Sequence, residues 1–515
     1  MQLVAYGAQD IYLTGNPQIT FFKVVYRRHT NFSMEAISQT LNGTIGSGNT
    51  QTCTISRNGD LVGATYLRIR DTTFGANEGE VYDIVDYVEL EIGGQRIDRQ
   101  HGDWNAIWWE LSTPESKVNG LRSMLIQNTG AAAGSSATAG NSIIYPLNFW
   151  FCRNPGLALP LIALQYHEVK LKITWGTAAT HAAEVFCDYI YLDTDERRRF
   201  AQVSHEYLIE QVQRETHAGN AKDFKLNFNH PVKELIWVSA GDSTGFGAGC
   251  QFSPLGANQA GANTSGTAYA PATDDDEVNI KLVLNGHDRM AQREAKYFKT
   301  TQLWQHHTRM PAPVSKYAMA NISESATIAL VPFAIFPKTS RVTSLKLNTK
   351  SGVASDASGT TSIVYHGAVA AGLVTTGTKI ALTAADLEID DAGRTTVNKV
   401  SVSTHASIVA ANSGLALSTG IANDEQLSIL YEFEELPTLI AGDGANTSNI
   451  YCYSFALKPE EHQPSGTCNF SRIDTAKLVG DVNFAAAAGD TVKVFAVNYN
   501  VLRIMSGMGG LAYSN

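Results

Sequence analysis

The residues that could carry out chemistry are few and scattered. The sequence contains no GxxxxGK[ST] phosphate-binding loop, no HExxH zinc-protease motif and no GxSxG nucleophile motif. The glycine-rich stretch Gly245–Gly249 lacks the third glycine of a dinucleotide-binding loop and a helix after it, so we interpret it as a surface loop. We therefore expect no catalytic residue, no cofactor-binding residue, no cofactor and no enzymatic activity.

Metal-ligating residue types do not group at the spacings of known sites. Asp274–Glu277 could offer oxygen ligands to Ca²⁺ but lacks the glycine and distal glutamate of an EF-hand loop, so we interpret it as the solvated start of a strand. His101, His306 and His307 have no partners at helical or hairpin spacing, and we interpret them as ordinary polar residues. We expect no metal site. The cysteines contain no CxxC pair, and we expect buried free thiols at Cys53, Cys152, Cys187, Cys250, Cys452 and Cys468.

The triplet N-x-[ST], the acceptor for N-linked glycans, occurs at Asn31, Asn42, Asn263, Asn321, Asn446 and Asn469. Asn263 and Asn446 lie in predicted outer loops and are the preferred candidates, followed by Asn321 and Asn42. We interpret Asn31 and Asn469, both in strand-like Asn-Phe-Ser segments, as structural.

Charge and hydropathy exclude several classes of protein. The formal net charge of -10 argues against a broad nucleic-acid surface, which needs clustered Lys and Arg. The basic run Arg197–Arg199 follows acidic residues, which favours a solvated linker or local ion pairs. The first ten residues lack the basic start and apolar stretch of a signal peptide, and no apolar run reaches the roughly 18 residues of a membrane helix. We expect a soluble protein made in a reducing compartment.

The elements that must position these residues are mostly strands. Only 17% of residues are charged and 43 are Gly, a composition typical of strands joined by polar loops, and 515 residues predict two or more domains. Apolar and polar residues alternate in several segments, as on strands with one buried face. These segments carry their apolar residues at Val88, Leu90 and Ile92; Val169, Leu171 and Ile173; Phe224, Leu226 and Phe228; and Val278, Ile280, Leu282 and Leu284.

Two helices are predicted. Asp103 can cap a helix that carries Trp104, Ile107, Trp108 and Leu111 and ends at Pro114. A second helix, from about Arg197 to Gln213, would link the two halves of the chain.

The order of features in the first half recurs in the second, which indicates an internal duplication. The strand ending at Ile92 meets the turn Gly93-Gly94 and then the Trp-rich helix, and the strand ending at Leu284 meets Asn285-Gly286 and then a stretch with Tyr297, Phe298 and Trp304. Both dipeptides suit tight hairpins. The halves differ by insertions rich in Gly, Ala, Ser and Thr, which we predict to be loops crowded at one exposed end: Gly130–Asn141, Gly241–Thr273, Ser351–Asn423 and Ala441–Asn449.

Four segments closely resemble the major capsid proteins of nucleocytoplasmic large DNA viruses, including phycodnavirus and mimivirus relatives. They lie near the start, in both halves and near the end, so the resemblance spans essentially the whole chain. The segments are Gly7–Phe32 (GAQDIYLTGNPQITFFKVVYRRHTNF), Asn154–Leu164 (NPGLALPLIAL), Gln463–Asp474 (QPSGTCNFSRID) and Val497–Ile504 (VNYNVLRI).

The resemblance implies an all-β double jelly roll: two consecutive eight-stranded jelly-roll sandwiches with a few short helices and long loop insertions in the second. It implies an arm at residues 1–22 that faces the particle interior, a first jelly roll with linker helix at 23–213, and a second at 214–515 with insertions at about 241–273, 351–423 and 441–449. Such proteins form homotrimeric, pseudo-hexagonal capsomers of an icosahedral shell.

The expected partners are further copies of the chain, minor capsid and penton proteins, and membrane-associated proteins under the shell, without direct nucleic-acid binding. The expected location is the virion, after assembly in the host cytoplasm. Two other classes are weighed against a shell protein. A trimeric lectin-like or adhesin-like sandwich should show a signal peptide, disulfides or a compact metal site. An enzyme on a β-sandwich should show convergent titratable groups, which the sequence does not offer.

Overall fold

The computed structural model describes residues 7–24, 26–70, 84–125, 142–176, 182–219, 221–240, 252–253, 278–310, 450–484 and 491–513, and the backbone of the strands between Val314 and Glu435. Within these residues strands dominate and helices are short, so the predicted all-β class is confirmed.

The first half of the chain forms a sandwich of two antiparallel sheets. One sheet has the order β1-β10-β4-β7, with β8 paired to β4, and the other has the order β2-β3-β9-β5-β6. Side chains from both sheets share one core, as alternation in β5 and β9 predicts. The strands are β1 (Phe32–Gln39), β2 (Leu41–Asn42), β3 (Thr50–Thr54), β4 (Leu61–Arg70), β5 (Val85–Ile92), β6 (Gln95–His101), β7 (Ser142–Pro146), β8 (Leu159–Pro160), β9 (Val169–Trp175) and β10 (Ala182–Leu192).

The second half contributes a further sandwich and an inserted strand region. Its first strands are β11 (His205–Ala218), β12 (Asp223–Leu226), β13 (Pro231–Ala240), β14 (Phe252–Ser253), β15 (Asn279–Leu284), β16 (His287–Asp288) and β17 (Arg293–Glu294). The inserted strands are β18 (Val314–Ser325), β19 (Ala334–Ile335), β20 (Ser340–Thr349), β21 (Thr361–His366), β22 (Val369–Ala370), β23 (Leu373–Val374), β24 (Thr378–Leu382), β25 (Leu387–Ile389), β26 (Thr395–Val397), β27 (Val400–Ser401), β28 (Gly414–Leu417) and β29 (Ile421–Glu435). The last are β30 (Tyr451–Ser454), β31 (Cys468–Asn469), β32 (Ala476–Gly480), β33 (Thr491–Met505) and β34 (Met508–Leu511).

Two sheets form this second sandwich. The larger runs β11-β33-β13-β14, with β30 and β31 paired to β13 and β34 paired to β33, and we call it the central sheet. The smaller runs β12-β32-β15-β16, with β17 paired to β15. The inserted strands make separate sheets, of which the largest runs β18-β29-β20-β26-β25.

The central sheet is buried on both faces. In β13, Leu235 and Trp237 belong to the core of the second sandwich, whereas the alternate residues Ile236 and Val238 belong to the core of the first. Strand β33 divides its apolar residues in the same way. A strand covered on both faces has a continuous apolar sequence, which explains why no polar residue interrupts Leu235–Val238. The two sandwiches are therefore joined through one shared layer.

The helices are α1 (Ile11–Thr14), α2 (Gly102–Ser112), α3 (Glu115–Leu125), α4 (Trp150–Arg153), α5 (Thr194–Gln202) and α6 (Gln302–His306). A π-helical turn, Tyr297–Thr301, leads into α6, and 3₁₀ turns span Pro155–Leu157 and Phe470–Arg472. The Trp-rich helix predicted before Pro114 is confirmed as α2. Its N-cap is His101, however, and Asp103 lies inside the first turn, where its carboxylate accepts a hydrogen bond from the Trp104 amide at 2.8 Å.

Both predicted hairpin turns are confirmed. Gly93 and Gly94 have φ of 60° and 84° and join β5 to β6, and Asn285 and Gly286 have φ of 51° and 79° and join β15 to β16. Positive φ at both central residues is the geometry of a type I′ turn, which Gly and Asn tolerate. A helical stretch follows each hairpin, as the duplication predicts.

Two predictions are wrong. The linker helix ends at Gln202, and His205–Ala218 is strand β11, which pairs with β33 along its whole length. The roughly helical spacing of Phe200 and Tyr207 is overridden by this long-range pairing. Residues 351–423, expected to be loop, contain the strands β21 to β28, whose Thr, Val and Ile residues suit a pleated surface. In 241–273, Phe252–Ser253 is strand β14, and residues 130–141 and 441–449 lie outside the described ranges.

Candidate functional site

Many of the buried polar side chains in the described part of the chain lie where the first sandwich meets the central sheet, and we call this surface the junction. Helix α2 lies in it with every residue from Gly102 to Leu111 buried. The Trp104 ring lies 5.5 Å from the Phe495 ring of β33 and 5.5 Å from that of Trp108. Aromatic packing therefore surrounds the charges described next.

Asp103 connects α2 to the central sheet. Its Oδ2 lies 2.9 Å from Nζ of Lys493 and 3.2 Å from Nη1 of Arg214. Burial alone would raise the pKa of Asp103, but the charges of Lys493 and Arg214 outweigh it and hold this pKa below its ordinary value. The carboxylate is thus ionised and shared between two cations of the second sandwich.

Glu210 of β11 is a second centre of charge pairing. Its Oε1 lies 2.7 Å from Nζ of Lys233, whose side chain is fully buried, and its Oε2 lies 2.7 Å from Nη2 of Arg153 in α4. Burial would raise the pKa of Glu210, but Arg153 and Lys233 lower it overall. Arg309 extends the pattern by binding Glu110 of α2 at 2.8 Å. Each buried charge named here has an opposite partner, as burial in a low dielectric requires.

A third group brings together Glu234, His307 and Cys452. His307 Nε2 lies 3.2 Å from Glu234 Oε2 and 3.4 Å from Cys452 Sγ, and its Nδ1 lies 2.9 Å from Glu460 Oε1. The side chains of His307 and Glu234 are fully buried. Burial raises the pKa of the Cys452 thiol to about 11, although His307 opposes this shift. Burial would lower the pKa of His307, but its Cys452, Glu234 and Glu460 partners raise it well above the ordinary value.

His307 is therefore not an ordinary polar residue, and that interpretation is wrong. Its partners Glu234 and Cys452 lie 73 and 145 positions away in the chain, so no local spacing could reveal the group. Strand pairing assembles it: Ile236 of β13 is in register with Cys452 of β30, which places Glu234 on the same face two residues along.

A groove of about 440 Å³ opens at the edge of the junction, between β6 and β11. Asp98 lies in it and is 3% exposed; its carboxylate accepts hydrogen bonds from the Val212 amide at 3.1 Å and from Gln100 Nε2 at 3.2 Å. Burial raises the pKa of Asp98 to about 6. Burial also disfavours the charged form of His101, which is the protonated form, and so lowers its pKa to about 4.

The described residues before β1, 7–24 and 26–31, form an exposed apolar segment that includes most of the predicted arm. Helix α1 has no buried residue. This segment exposes most of the surface of eight large apolar side chains, an arrangement that marks an interaction surface. They are Ile11, Tyr12, Leu13, Ile19, Phe21, Phe22, Val24 and Tyr26.

The predicted modification and binding residues are dispersed. Asn42 is exposed in β2, and Asn321 lies in β18. Asn263, Asn446, Cys250, Gly245–Gly249 and Asp274–Glu277 lie outside the described residues. Asn31 is exposed, and exposed Asn469 caps a 3₁₀ turn by accepting a hydrogen bond from the Ser471 amide.

Arg197 binds Asp60 at 2.8 Å; this partner is distant in the chain, so the contact is not one of the local ion pairs expected with the neighbouring acidic residues. Free thiols are confirmed at the described cysteines; Cys53, Cys187 and Cys452 are buried, and Cys152 and Cys468 are partly buried.

Among the described residues, none of the helices combines the length and the apolar character needed to cross a membrane.

Comparison with known proteins agrees with this architecture. The family model of the major capsid protein N-terminus matches residues 20–181, and that of the large eukaryotic DNA virus major capsid protein matches 196–327 and 437–510. The major capsid protein of Pyramimonas orientalis virus is 42% identical over 531 residues, covering 100% of this chain and 99% of its own. That of Paramecium bursaria Chlorella virus 1 is 34% identical over 575 residues, with the same coverage.

Among solved structures, the quasi-atomic model of the PBCV-1 virus capsid matches with a TM-score of 0.59 and 30% identity, covering 96% of this chain and 100% of that chain. The crystal structure of PBCV-1 VP54 matches with a TM-score of 0.58 and 29% identity, with the same coverage. The two joined sandwiches are thus the predicted double jelly roll, and the chain is a capsid component of a virion. It belongs to the major capsid proteins of the nucleocytoplasmic large DNA viruses.

Proposed function

We propose that this chain is the subunit of a homotrimeric capsomer of pseudo-hexagonal outline that tiles the outer shell of a large icosahedral DNA virus. The observation that carries the proposal is the central sheet, whose two faces are buried in the cores of the two sandwiches. Because the sandwiches share this layer, they move as one block. Three such blocks arranged about a threefold axis present six similar walls to their neighbours.

The chain catalyses no reaction under this proposal. The buried titratable groups Asp103, Glu210 and Lys233 are paired with opposite charges of the other sandwich or of the same sheet. Groups held in this way stabilise the contact between the sandwiches. This pairing supports a structural role for the junction.

We propose that residues 1–22 form an arm that faces the particle interior, that the first jelly roll with its linker helix follows, and that the second jelly roll begins earlier than the expected residue 214. Because β11 begins at His205 and pairs with β33, we place the structural boundary between the jelly rolls at residues 203–204.

The arm is the proposed contact with proteins other than further copies of the chain. Its exposed apolar side chains, Phe21 and Phe22 among them, gain most from burial against minor capsid and penton proteins or membrane-associated proteins under the shell. The net charge of -10 does not favour direct nucleic-acid binding.

We propose assembly in the host cytoplasm. The candidate glycan acceptors remain Asn263, Asn446, Asn321 and Asn42; the exposure of Asn42 in β2 supports that position. Intact-mass measurement of the purified virion protein, before and after removal of glycans, tests them.

Light scattering and electron microscopy test the capsomer. We expect a particle of three times the 55.7 kDa chain mass, with a hexagonal outline in projection. A monomer without this outline would refute the proposal.

Truncation tests the arm. Deleting Met1 to Gly15, or combining Phe21→Ser with Phe22→Ser, should leave trimers folded and impair shell closure. Gln18→Ser, at an exposed polar position of the same arm, is the matched control and should close shells normally. Normal shells from the truncated trimers would contradict the interior role of the arm.

A further inference from the structure

We propose that Glu234, His307 and Cys452 form a structural binding site for a divalent transition-metal ion, with Zn²⁺ as the ion that fits best. The site lies in the junction, on the face of the central sheet that meets the first sandwich. Its function would be to fasten the segment after α6 to strands β13 and β30. The inference does not depend on how the chain assembles.

The spacing of the three ligand atoms carries the proposal. Zinc bonds of about 2.3 Å to sulfur, 2.05 Å to imidazole nitrogen and 2.1 Å to carboxylate oxygen, at tetrahedral angles, place sulfur about 3.6 Å from nitrogen, nitrogen about 3.4 Å from oxygen and sulfur about 3.6 Å from oxygen. The corresponding distances here are 3.4 Å, 3.2 Å and 3.8 Å. Each of the three distances between these ligand atoms matches the expected tetrahedral value to within about 0.2 Å.

Two further features point to a ligand. Glu234 Oε1 is buried and has no hydrogen-bond partner, so a fully buried carboxylate oxygen is left over beside the three ligand atoms. It can supply the fourth bond through bidentate coordination. His307 Nδ1 lies 2.9 Å from Glu460 Oε1, so it can donate its proton there and leave Nε2 bare for a metal. A carboxylate that orients a histidine in this way is the usual support of a metal ligand.

The positions of the ligands suit a rigid site. A bulge in β13 between Val232 and Glu234 turns both Lys233 and Glu234 toward the junction, and Lys233 is bound by Glu210 at 2.7 Å. Cys452 lies in the adjacent strand β30. One divalent ion, one carboxylate and one thiolate sum to zero charge, so the occupied site carries no net charge into the buried junction.

The ligand types select the metal. Thiolate and imidazole favour Zn²⁺ over Ca²⁺ and Mg²⁺, which take oxygen ligands. Binding displaces the thiol proton of Cys452 and the Nε2 proton of His307 to solvent, while the Nδ1 proton of His307 stays on its bond to Glu460. Without a metal, His307 would instead carry both ring protons and bridge Glu234 and Glu460, the Cys452 thiol would donate to Glu234 Oε2, and Glu234 Oε1 would have no partner.

The test uses the full chain as assembled particles or capsomers. Protein made in zinc-supplemented medium should retain one zinc per chain after passage over a chelating resin. Exchange with Co²⁺ should produce a thiolate-to-cobalt charge-transfer band and the intense visible bands of a tetrahedral site. Cys452→Ser should abolish the charge-transfer band, whereas Cys187→Ser, a buried thiol in the first core, should preserve it.

Glu460→Gln provides a variant that keeps all three ligands. It should weaken zinc binding by about 10-fold to 100-fold, because it loosens only the orientation of His307. This variant and the wild-type cobalt spectrum decide the question even if Cys452→Ser does not fold. Protein without retained zinc and without a charge-transfer band would overturn the proposal, and so would a band that survives in Cys452→Ser.

Discussion

Replacing Asp98 with Asn should stabilise the protein at neutral pH. Asp98 lies on β6 of the first sandwich and accepts a hydrogen bond from the Val212 amide of β11, so it sits where the two sandwiches meet. Asn keeps the oxygen that accepts this bond. Its new NH₂ group faces Gln100, whose Oε1 is buried without a partner, so a flip of the Gln100 amide supplies an acceptor. The substitution removes a buried charge and leaves the number of unpaired atoms at Gln100 unchanged, because Nε2 takes the position in which Oε1 had no partner.

The magnitude follows from the pKa. Burial raises the pKa of Asp98 to about 6 from its ordinary 3.8, and one pKa unit corresponds to about 1.4 kcal/mol, so ionising Asp98 costs the folded state about 3 kcal/mol. The folded state holds this proton more tightly than the unfolded chain. The resulting stability is therefore fully present below about pH 4 and is lost as the pH rises through about 6. Asp98→Asn should be insensitive to that loss.

The assay is guanidinium unfolding of wild type and Asp98→Asn between pH 4 and pH 8, followed by tryptophan fluorescence. The difference in unfolding free energy should be small near pH 4 and grow to about 3 kcal/mol in favour of the variant above pH 7. Asp481 is the control of opposite sign, because hydrogen bonds from Asn279 lower its pKa despite partial burial. Relative to wild type, Asp481→Asn should lose stability as the pH rises through the lowered pKa toward 3.8, so its deficit should be nearly constant from about pH 5 upward. A difference for Asp98→Asn that does not change with pH would refute the reasoning.

Further substitutions test the turns and the buried charges. Gly93→Ala should destabilise the protein by more than the roughly 1 kcal/mol expected for Gly286→Ala. Both glycines have positive φ, but a methyl group at Gly93 would overlap the His167 ring, whereas the space at Gly286 is open. Thermal unfolding of the two variants measures the difference. Lys233→Met should lower the free energy of unfolding by about 3 kcal/mol, because it removes a buried partner of Glu210. The double variant with Glu210→Gln should lose less stability than the sum of the two single variants. Additive losses would show that the pair is not coupled.

Local patterns predicted the fold well where a strand has one buried face and one face exposed to solvent. Alternation placed Val88 and Leu90 on the buried face of β5, and the Gly93-Gly94 dipeptide fixed the hairpin that follows. The pattern failed at His205–Ala218, where apolar spacing resembled a helix but 14 residues pair with β33. It failed again in 351–423, where low charge indicated loops and strands are found. In both places the deciding contacts are distant in sequence, and a local period carries no information about them.

The buried groups of the junction were beyond the reach of sequence reasoning for the same reason. Motif searches rely on ligands at fixed short spacings, as on one helix or one hairpin. Cys452 lies 145 positions from His307 and 218 from Glu234. Only the register of β13 with β30, together with the return of the chain after α6, brings these atoms together. A charged residue directly before an apolar run, such as Glu234 before Leu235–Val238, was the one local signal.

The charges in the junction bear on orientation more than on the strength of the contact. A well-packed apolar interface of the same size would hold the sandwiches at least as strongly, because burying an ion pair roughly cancels its own attraction. What the pairs add is a penalty for misalignment. If the first sandwich slipped by one residue along the central sheet, Asp103 would lose both Lys493 and Arg214, and Arg153 would lose Glu210. Each loss leaves a charge buried alone, at a cost of several kcal/mol, so the paired arrangement excludes neighbouring registers. The two sandwiches of such a subunit must present walls of fixed geometry to their neighbours. For this role, excluding the wrong registers matters more than strengthening the contact between the sandwiches.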